Sequence, residues 1–223
     1  MISADWYFDF VSPFAYLQSE QLARFDGKLA LRYRPVLFAG LLNAHGQKGP
    51  AEIAPKREFT YRYVLWRAKR LGVPLRFPPE HPFNPLSLLR LALACDCRPD
   101  AIHRIFRFVW REGRLPDLPI EWAELVRDLE VADAQARIAA ADVKEALRRS
   151  TDAAIARGVF GVPTLAIGDT LFWGADATEM ALDFIAAGCR FHDPEYARIA
   201  ALPAGPVRAP PSPKKTRIVG TAR

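Results

Sequence analysis

An α/β fold whose sheet is divided by a long helical segment is predicted by three observations. Trp6–Val11 has the aromatic and β-branched composition of a buried strand, and Ser12-Pro13 then opens a stretch with helical spacing of apolar residues. Helical patterns fill most of residues 55–157. Short apolar segments on either side of Gly168-Asp169 follow, and that dipeptide is typical of a hairpin turn.

The first part of the predicted sheet is a strand–helix–strand unit. Ser is a preferred N-cap and Pro is favoured at the first helical position, so we expect a helix that begins at Ser12-Pro13. Its apolar face continues as far as Phe25, and Leu29–Phe38 has the composition of a second strand. Because a helix separates the two strands, they are predicted to pair in parallel.

The middle of the chain is predicted to be helical. Gly and Pro residues separate several of the periodic segments, and β-branched runs are few. The predicted helices are Pro55–Leu71, Pro85–Ala94, Asp100–Arg111, Pro119–Leu129 and Asp133–Arg157.

The last part of the predicted sheet is a hairpin followed by a helix. Thr164–Ile167 and Thr170–Trp173 are its strands, and Asp176 is placed to cap the final helix. The order β-α-β, helices, β-β-α predicts a thioredoxin-like sheet with an all-helical insertion. We therefore expect a discontinuous thioredoxin-like domain (1–40 and 158–200), a helical insertion (41–157) and a disordered Pro-rich basic tail (203–223).

Composition excludes several classes of protein. With 50% hydrophobic and 25% charged residues, the 223-residue chain is that of a folded protein, and no uncharged apolar run is long enough to cross a membrane. Five of the six excess positive charges lie in residues 203–223, so a nucleic-acid groove on the body is poorly supported. The start Met1–Asp5 lacks the features of a secretory signal, and three cysteines do not make a disulfide scaffold, so we expect a cytoplasmic protein.

Metal and nucleotide chemistry is not indicated. The cysteines at 95, 97 and 189 and the four isolated histidines have no metal-ligand spacing, so we predict no metal site. The chain also lacks glycine-rich phosphate-binding motifs and the G-x-S-x-G motif.

Ser12 is the candidate functional residue of the first strand–helix turn. In a thioredoxin-like layout this turn carries the reactive thiols, but Ser12-Pro13-Phe14-Ala15 has none. A hydroxyl at a helix start can instead donate to the thiolate of a ligand brought in from outside, which lowers the thiol pKa. A plain N-cap is the alternative for Ser12. A trans proline that opens an edge strand is the alternative for Val162-Pro163, a dipeptide that in such folds is cis and exposes an unpaired backbone edge.

The sequence resembles 2-hydroxychromene-2-carboxylate isomerases and the related kappa-class glutathione transferases. The likeness runs in the same order through about residues 4–187. It is carried by Tyr7–Tyr16 (Tyr-Phe-Asp-Phe-Val-Ser-Pro-Phe-Ala-Tyr), Pro55–Arg57, Phe83–Pro85, Gly158–Thr164 and Leu171–Asp176.

The resemblance implies a DsbA-like thioredoxin fold, glutathione as cofactor and often a homodimer. Matched by position, it implies that Ser12 holds the glutathione sulfur and that Val162, ahead of Pro163, pairs with the cysteinyl backbone. The other implied glutathione contacts are Lys56 to a carboxylate, Ala175 and Asp176 to the γ-glutamyl end, and Gln47 where the family has Asn. A second departure is Ala177, which follows Asp176 where the family has Arg.

The implied activity is a glutathione-dependent isomerisation of 2-hydroxychromene-2-carboxylate, or a similar intermediate of aromatic catabolism, to trans-o-hydroxybenzylidenepyruvate. Candidate walls of a flat substrate pocket are Phe14, Phe38, Tyr61 and Trp173, and candidate partners of the substrate carboxylate are Lys48, Lys56 and Arg57. Three alternatives stay open: a glutathione transferase that conjugates an electrophile, a thiol–disulfide oxidoreductase, and a non-catalytic binding protein of the same fold.

Overall fold

A mixed four-stranded sheet forms the centre of the structure, a computed structural model that describes residues 1–203 and 205. The strands are β1 (Ile2–Phe8), β2 (Leu29–Pro35), β3 (Thr164–Ile167) and β4 (Thr170–Trp173). Their order in the sheet is β2-β1-β3-β4. β2 runs parallel to β1, β3 pairs antiparallel with β1, and β4 pairs antiparallel with β3. The predicted parallel pair and the predicted hairpin are confirmed.

The two faces of β1 are chemically different because successive side chains point to opposite sides of a strand. On one face Trp6 and Phe8 stack with ring centroids 4.7 Å apart, and Phe106 of helix α5 (Pro99–Trp110) packs against both rings. Each such buried side chain stabilises the fold by about 1.5–3 kcal/mol. Asp5 and Tyr7 lie on the other face. The sheet is therefore packed by aromatic rings on one side, whereas on the other side Tyr7 joins a hydrophobic cluster and Asp5 is charged.

The first strand ends at Phe8 rather than at Val11, so the prediction was wrong at this boundary. Residues 9–12 form a turn in which the Ser12 amide donates to the Asp9 carbonyl (3.1 Å). The Asp9 carboxylate also accepts from the Val11 amide (3.1 Å), a local bond that competes with strand pairing. The second strand likewise ends at Pro35, and Phe38 begins a helix instead of ending the strand.

Helix α1 (Pro13–Ser19) begins where the sequence predicts, with Ser12 as its N-cap. It ends before Phe25, because Ser19 Oγ donates to the Tyr16 carbonyl (2.7 Å) and the Gln21 side chain donates to the Leu17 carbonyl (3.0 Å). The Gln21 side chain thus takes the Leu17 carbonyl that the Gln21 amide would use in a longer helix, and that amide bonds to the Gln18 carbonyl instead. A separate 3-10 turn then covers Leu22–Phe25.

Seven helices lie between β2 and β3 in the described part of the chain. They are α2 (Phe38–Ala44), α3 (Ala54–Leu71), α4 (Leu86–Ala94), α5 (Pro99–Trp110), α6 (Pro119–Asp128), α7 (Ala134–Ala139) and α8 (Ala141–Ala156). This segment confirms the predicted helical insertion. The single helix predicted over Asp133–Arg157 is wrong, because Ala140 adopts an extended conformation (φ −62°, ψ 144°) between α7 and α8. Both helices pack against α4, so tertiary packing favours the break.

The chain continues after β4 into a 3-10 turn (Ala175–Ala177) and helix α9 (Thr178–Ala186). Met1–Cys189 form one compact unit, and the described residues from Arg190 onwards belong to a second. Within the second unit, α10 (Pro194–Ala200) begins after Asp193, whose carboxylate accepts from the Glu195 amide (2.8 Å); the sequence did not predict this helix.

The predicted tail 203–223 lies outside the described residues, apart from Pro203 and Gly205. None of the described helices is both long and apolar enough to pass through a lipid bilayer. The cytoplasmic location stays a prediction.

Candidate active site

The turn between β1 and α1 is held by side chains from distant parts of the chain. The indole Nε1 of Trp110, at the end of α5, donates to the Phe10 carbonyl (2.8 Å). The ring Nε2 of His81 lies 2.9 Å from the Val11 carbonyl. Because hydrogen bonds occupy these carbonyls, the turn has a defined conformation immediately before Ser12.

Ser12 is buried, with 6% of its surface exposed, and its hydroxyl has two partners. Oγ accepts from the Ala15 amide (3.2 Å), as an N-cap does, and donates to the Val162 carbonyl at 3.4 Å. The second bond joins residues that are 150 positions apart. The N-cap interpretation is therefore confirmed, and the hydroxyl also faces the second predicted element of the site.

The segment that faces Ser12 contains a cis peptide bond between Val162 and Pro163, as predicted. Thr164 Oγ1 donates to the Gly161 carbonyl (2.8 Å), and the Gly174 amide donates to the Pro163 carbonyl (2.8 Å). These bonds connect the segment to the start of β3 and to the end of β4. Val162 itself lies before β3 and outside the strand ladder.

The loop after β4 does not use Asp176 as a helix cap, so that prediction is corrected. Asp176 is exposed and lies in the middle of the 3-10 turn, and α9 starts at Thr178 without a side-chain cap. Gly174 has φ +94° and ψ 155°, a conformation that strongly favours glycine, and an added Cβ would lie 2.4 Å from Asp176 Oδ1. Glycine thus lets this carboxylate fold back against the backbone.

Gln18 is a buried residue that the sequence analysis missed. Its Nε2 donates to the Gly174 carbonyl (3.2 Å) and to Thr178 Oγ1 (3.1 Å), while its Oε1 accepts from Trp6 Nε1 (2.8 Å). One side chain of α1 therefore fixes the loop after β4 relative to the helix that Ser12 caps. No sequence signal distinguishes this glutamine from an exposed one, since both partners on the loop are more than 150 residues away.

Asp9 is the second polar residue that the sequence analysis missed. Its carboxyl is completely buried and accepts from the amides of Val11 (3.1 Å) and Phe38 (2.8 Å). Burial raises the pKa of Asp9 to about 7, against the opposing effect of the amide bonds. A titratable carboxyl thus lies beneath the turn that carries Ser12, and its only sequence signal is an acid within an aromatic segment.

The four predicted pocket residues have different surroundings. Phe14 of α1 is half-buried and lies 6.0 Å from the ring of Tyr63, and Trp173 is 56% exposed and packs against Phe160 (5.1 Å) beside the Val162–Pro163 segment. Phe38 packs against a core cluster that includes Val162. Tyr61 directs its hydroxyl towards His81. Phe14 lies two residues after Ser12, and Trp173 packs beside the Val162–Pro163 segment. Phe38 and Tyr61 instead contact residues inside the protein, the core cluster and His81.

The polar and charged side chains that were predicted, around α2 and α3, to contact glutathione or the substrate are exposed. Gln47 and Lys48 follow α2, and Lys56 and Arg57 belong to the first turn of α3. Within residues 1–203 and 205, no hydrogen bond connects the side chains of Gln47 or Lys56 to the Ser12 turn. Their roles stay predictions.

The cysteines lie outside the Ser12 turn. Cys95 and Cys97 are in the connection between α4 and α5, and Cys189 follows α9. Burial raises the pKa of Cys97 to about 11, and burial also raises the pKa of Cys95. Such thiols are weak nucleophiles at neutral pH.

Comparison with known proteins places the chain in a family. Residues 4–186 match the model of the DSBA-like thioredoxin domain. A 2-hydroxychromene-2-carboxylate isomerase of Pseudomonas putida is 32% identical over 195 residues, which cover 83% of this chain and 95% of the relative. The chain belongs to the DSBA-like thioredoxin family. It is also 29% identical to a kappa glutathione transferase of Caenorhabditis elegans, over 81% of this chain and 90% of the relative.

Solved structures agree with this family membership. The structure of a 2-hydroxychromene-2-carboxylate isomerase aligns with a TM-score of 0.74 at 27% identity and covers 89% of this chain and 99% of its own. The DsbA-like fold predicted from the resemblance is therefore confirmed, and the prediction of an enzyme agrees with these relatives.

Proposed function

We propose that the protein is a glutathione-dependent isomerase that converts 2-hydroxychromene-2-carboxylate, or a similar flat aromatic carboxylate, to the trans-benzylidenepyruvate isomer. The observation that carries the proposal is the 3.4 Å approach of the Ser12 hydroxyl to the carbonyl of Val162, directly before the cis proline. This approach puts a hydroxyl donor next to a backbone edge. A thiol peptide needs both groups at the same place.

The residues present fit glutathione in three respects. Ser12 offers a neutral hydroxyl donor, and the bond it makes to Val162 is long enough to be exchanged for a bond to a ligand sulfur. Val162 lies outside the ladder, so its backbone is available for strand-like pairing. The exposed carboxylate of Asp176, held close to Gly174, suits the ammonium group of the γ-glutamyl end.

When bound, glutathione supplies a thiolate nucleophile for reversible addition to a conjugated double bond. Ser12 favours the charged form of that sulfur by donating a hydrogen bond to it, which lowers the thiol pKa. Among the first amides of α1, Pro13 has no N–H and those of Ala15 and Tyr16 already bond to Ser12. The Ser12 hydroxyl and the Phe14 amide are thus the donors that this turn offers to a ligand sulfur.

Other residues of this chain bind the rest of the substrate in the proposal. Phe14 and Trp173 offer half-buried and exposed rings beside the Ser12 and Val162 elements, where a flat aromatic ring can stack. Lys56 and Arg57 at the start of α3 are exposed cations that can pair with a carboxylate. The type and exposure of these four side chains support their assignment as substrate contacts.

Replacement of Ser12 by alanine tests the proposal. We expect Ser12→Ala to lower turnover about 100-fold, the scale of losing one stabilising donor, and to raise the pKa of the bound thiol. Thiolate absorbance during a glutathione titration measures the pKa. Ser19→Ala is the matched control, because it removes a buried hydroxyl from the other end of α1. Normal turnover and an unchanged thiol pKa in Ser12→Ala would refute the proposed role of Ser12.

A transferase that uses the same site is the second candidate, favoured by the 29% identity to a kappa glutathione transferase. The two activities differ in their balance of glutathione. An isomerase leaves total glutathione unchanged, whereas a transferase consumes it as conjugate. If calorimetry detects no binding at millimolar glutathione, both are wrong and a non-catalytic binding protein of this fold is the better interpretation.

A further inference from the structure

His81 contacts the Ser12 turn from the connection between α3 and α4. Its ring lies among aromatic side chains, with centroids 5.3 Å from Tyr61, 5.4 Å from Trp110 and 6.2 Å from Phe77. Burial lowers the pKa of His81, so the imidazole is neutral at physiological pH. The ring is therefore a fixed hydrogen-bonding group in an apolar environment.

The partners of the ring determine its tautomer. Nε2 lies 2.9 Å from the Val11 carbonyl, and since a carbonyl only accepts, Nε2 carries the proton. The neutral ring then accepts at Nδ1, where the Tyr61 hydroxyl lies 2.7 Å away. The backbone carbonyl of His81 lies 2.8 Å from the same Tyr61 oxygen, so the single hydroxyl hydrogen is shared between the carbonyl and Nδ1.

The Val11 carbonyl belongs to the same peptide unit as the Ser12 amide. The amide end of that unit donates to the Asp9 carbonyl (3.1 Å), and the carbonyl end accepts from His81 (2.9 Å). A peptide unit is planar, so bonds at both ends fix the orientation of the plane. The plane in turn sets the direction of the Ser12 side chain, whose Oγ must face Val162.

We propose that His81 is a positioning residue that, held by Tyr61, aims the Ser12 hydroxyl at the ligand sulfur. This inference rests on the proposed role of Ser12 and adds residues that have no contact with the ligand. A misplaced donor is costly, since a displacement of about 1 Å can reduce a rate about 100-fold. Tyr61 thus acts in this proposal through His81 and not as a wall of the substrate pocket.

The experiment compares variants that keep or remove the side-chain N–H at position 81, which donates to the Val11 carbonyl. We expect His81→Leu to lower kcat 10- to 100-fold, on the scale given for a misplaced group, and to raise the pKa of the bound glutathione thiol. His81→Gln retains an N–H of similar reach and is expected to stay within about threefold of the unmodified enzyme. Tyr61→Phe, which removes only the hydroxyl, is expected to give an intermediate loss.

His103→Leu is the matched control, because it removes another half-buried histidine, one that bonds to the backbone of Ser19 at the far end of α1. We expect the pKa of the glutathione thiol bound to His103→Leu to equal that of the thiol bound to the unmodified enzyme. A folded His81→Leu with unchanged kcat and thiol pKa overturns the proposal, and so does an equal change in His103→Leu.

Nitrogen NMR of the unmodified protein, and of His81→Gln and Tyr61→Phe, gives a test that does not require His81→Leu to fold. A ring protonated at Nε2, and a Ser12 amide signal that moves less in His81→Gln than in Tyr61→Phe, support the positioning role. A ring protonated at Nδ1 overturns it. If the unmodified protein fails to bind glutathione, the proposed function is wrong, while the NMR result still decides the contact between His81 and the turn.

Discussion

Two aspartates, one in the middle of β1 and one just after it, are buried in opposite ways. Asp5 lies within the strand and accepts hydrogen bonds from Arg32 (2.7 and 2.8 Å), Arg34 (2.9 Å) and Arg157 (2.7 Å). Asp9 lies just beyond the strand and accepts from backbone amides. The carboxyls are four residues apart, about 13 Å in an extended chain.

The two carboxyls differ in pKa, and this difference distinguishes the strand that supports the fold from the turn that carries the candidate site. Burial alone would raise the pKa of Asp5, but the three arginines outweigh burial and lower the pKa to about 2. At Asp9 the amide bonds do not outweigh burial, and the pKa rises to about 7. The middle of β1 therefore holds a permanent ion, whereas the turn before Ser12 holds a carboxyl that changes charge near neutral pH.

The largest expected effect comes from removing the permanent ion. Asp5→Asn leaves three arginines without their shared partner, and we expect it to lower the free energy of unfolding by about 3 kcal/mol in urea at pH 7. The arginine side chains are partly exposed (54%, 45% and 32%), which limits the loss. Asp152→Asn, in an exposed pair with Arg148, is the control and should cost less than about 1 kcal/mol. Equal losses of unfolding free energy in Asp5→Asn and Asp152→Asn would contradict the assignment of Asp5 as the more strongly stabilising ion.

The next effect is a pH dependence from Asp9. Its pKa is higher in the folded than in the unfolded chain, so its stabilising contribution is complete below about pH 4 and is lost as the pH rises through about 7. We expect the difference in unfolding free energy between the unmodified protein and Asp9→Asn to fall by about 2 kcal/mol from pH 5 to pH 8. Denaturant unfolding at both pH values measures it. Parallel pH profiles would show that Asp9 does not titrate in this range.

The smallest effect concerns acid unfolding. The lowered pKa of Asp5 gives stability that is present above about pH 4 and is lost as the pH falls towards 2. Removing one of its three cations, in Arg157→Met, raises that pKa, and we expect the midpoint of acid unfolding to move up by about half a pH unit, or ~0.7 kcal/mol. Arg148→Met, on an exposed surface, is the control. A midpoint that stays in place would mean that Arg157 contributes nothing to the Asp5 site.

The elements that the sequence predicted well are those with local causes. Ser12-Pro13 marks the start of α1, and Gly168-Asp169 marks the turn of the hairpin, because capping and turn preferences act over a few residues. The break at Ala140 has no Gly or Pro to indicate it and follows from packing on α4. Local signals therefore predicted the boundaries marked by a cap or a turn, and they missed this break as well as the ends of β1, β2 and α1.

The candidate site was predictable where a motif carries it. Ser12 and Val162-Pro163 stand in short recognisable segments, and the structure brings them within hydrogen-bond distance. His81 reaches Val11 across 70 residues, and Asp9 reaches Phe38 across 29. Periodicity and composition contain no information about such long-range pairs, so the residues that support the site could not be found from the sequence.

The contact between Trp173 and Gly161 gives the protein a label-free optical reporter. A Cβ at residue 161 would lie 2.5 Å from the indole nitrogen, so only glycine lets the ring settle there, one residue from Val162. Trp6 and Trp110 are fully buried, whereas Trp173 and Trp66, which lies on α3, are both more than half exposed. Quenching of the Trp173 fluorescence therefore offers a direct signal of ligand arrival, and Trp173→Phe identifies the emission that belongs to it.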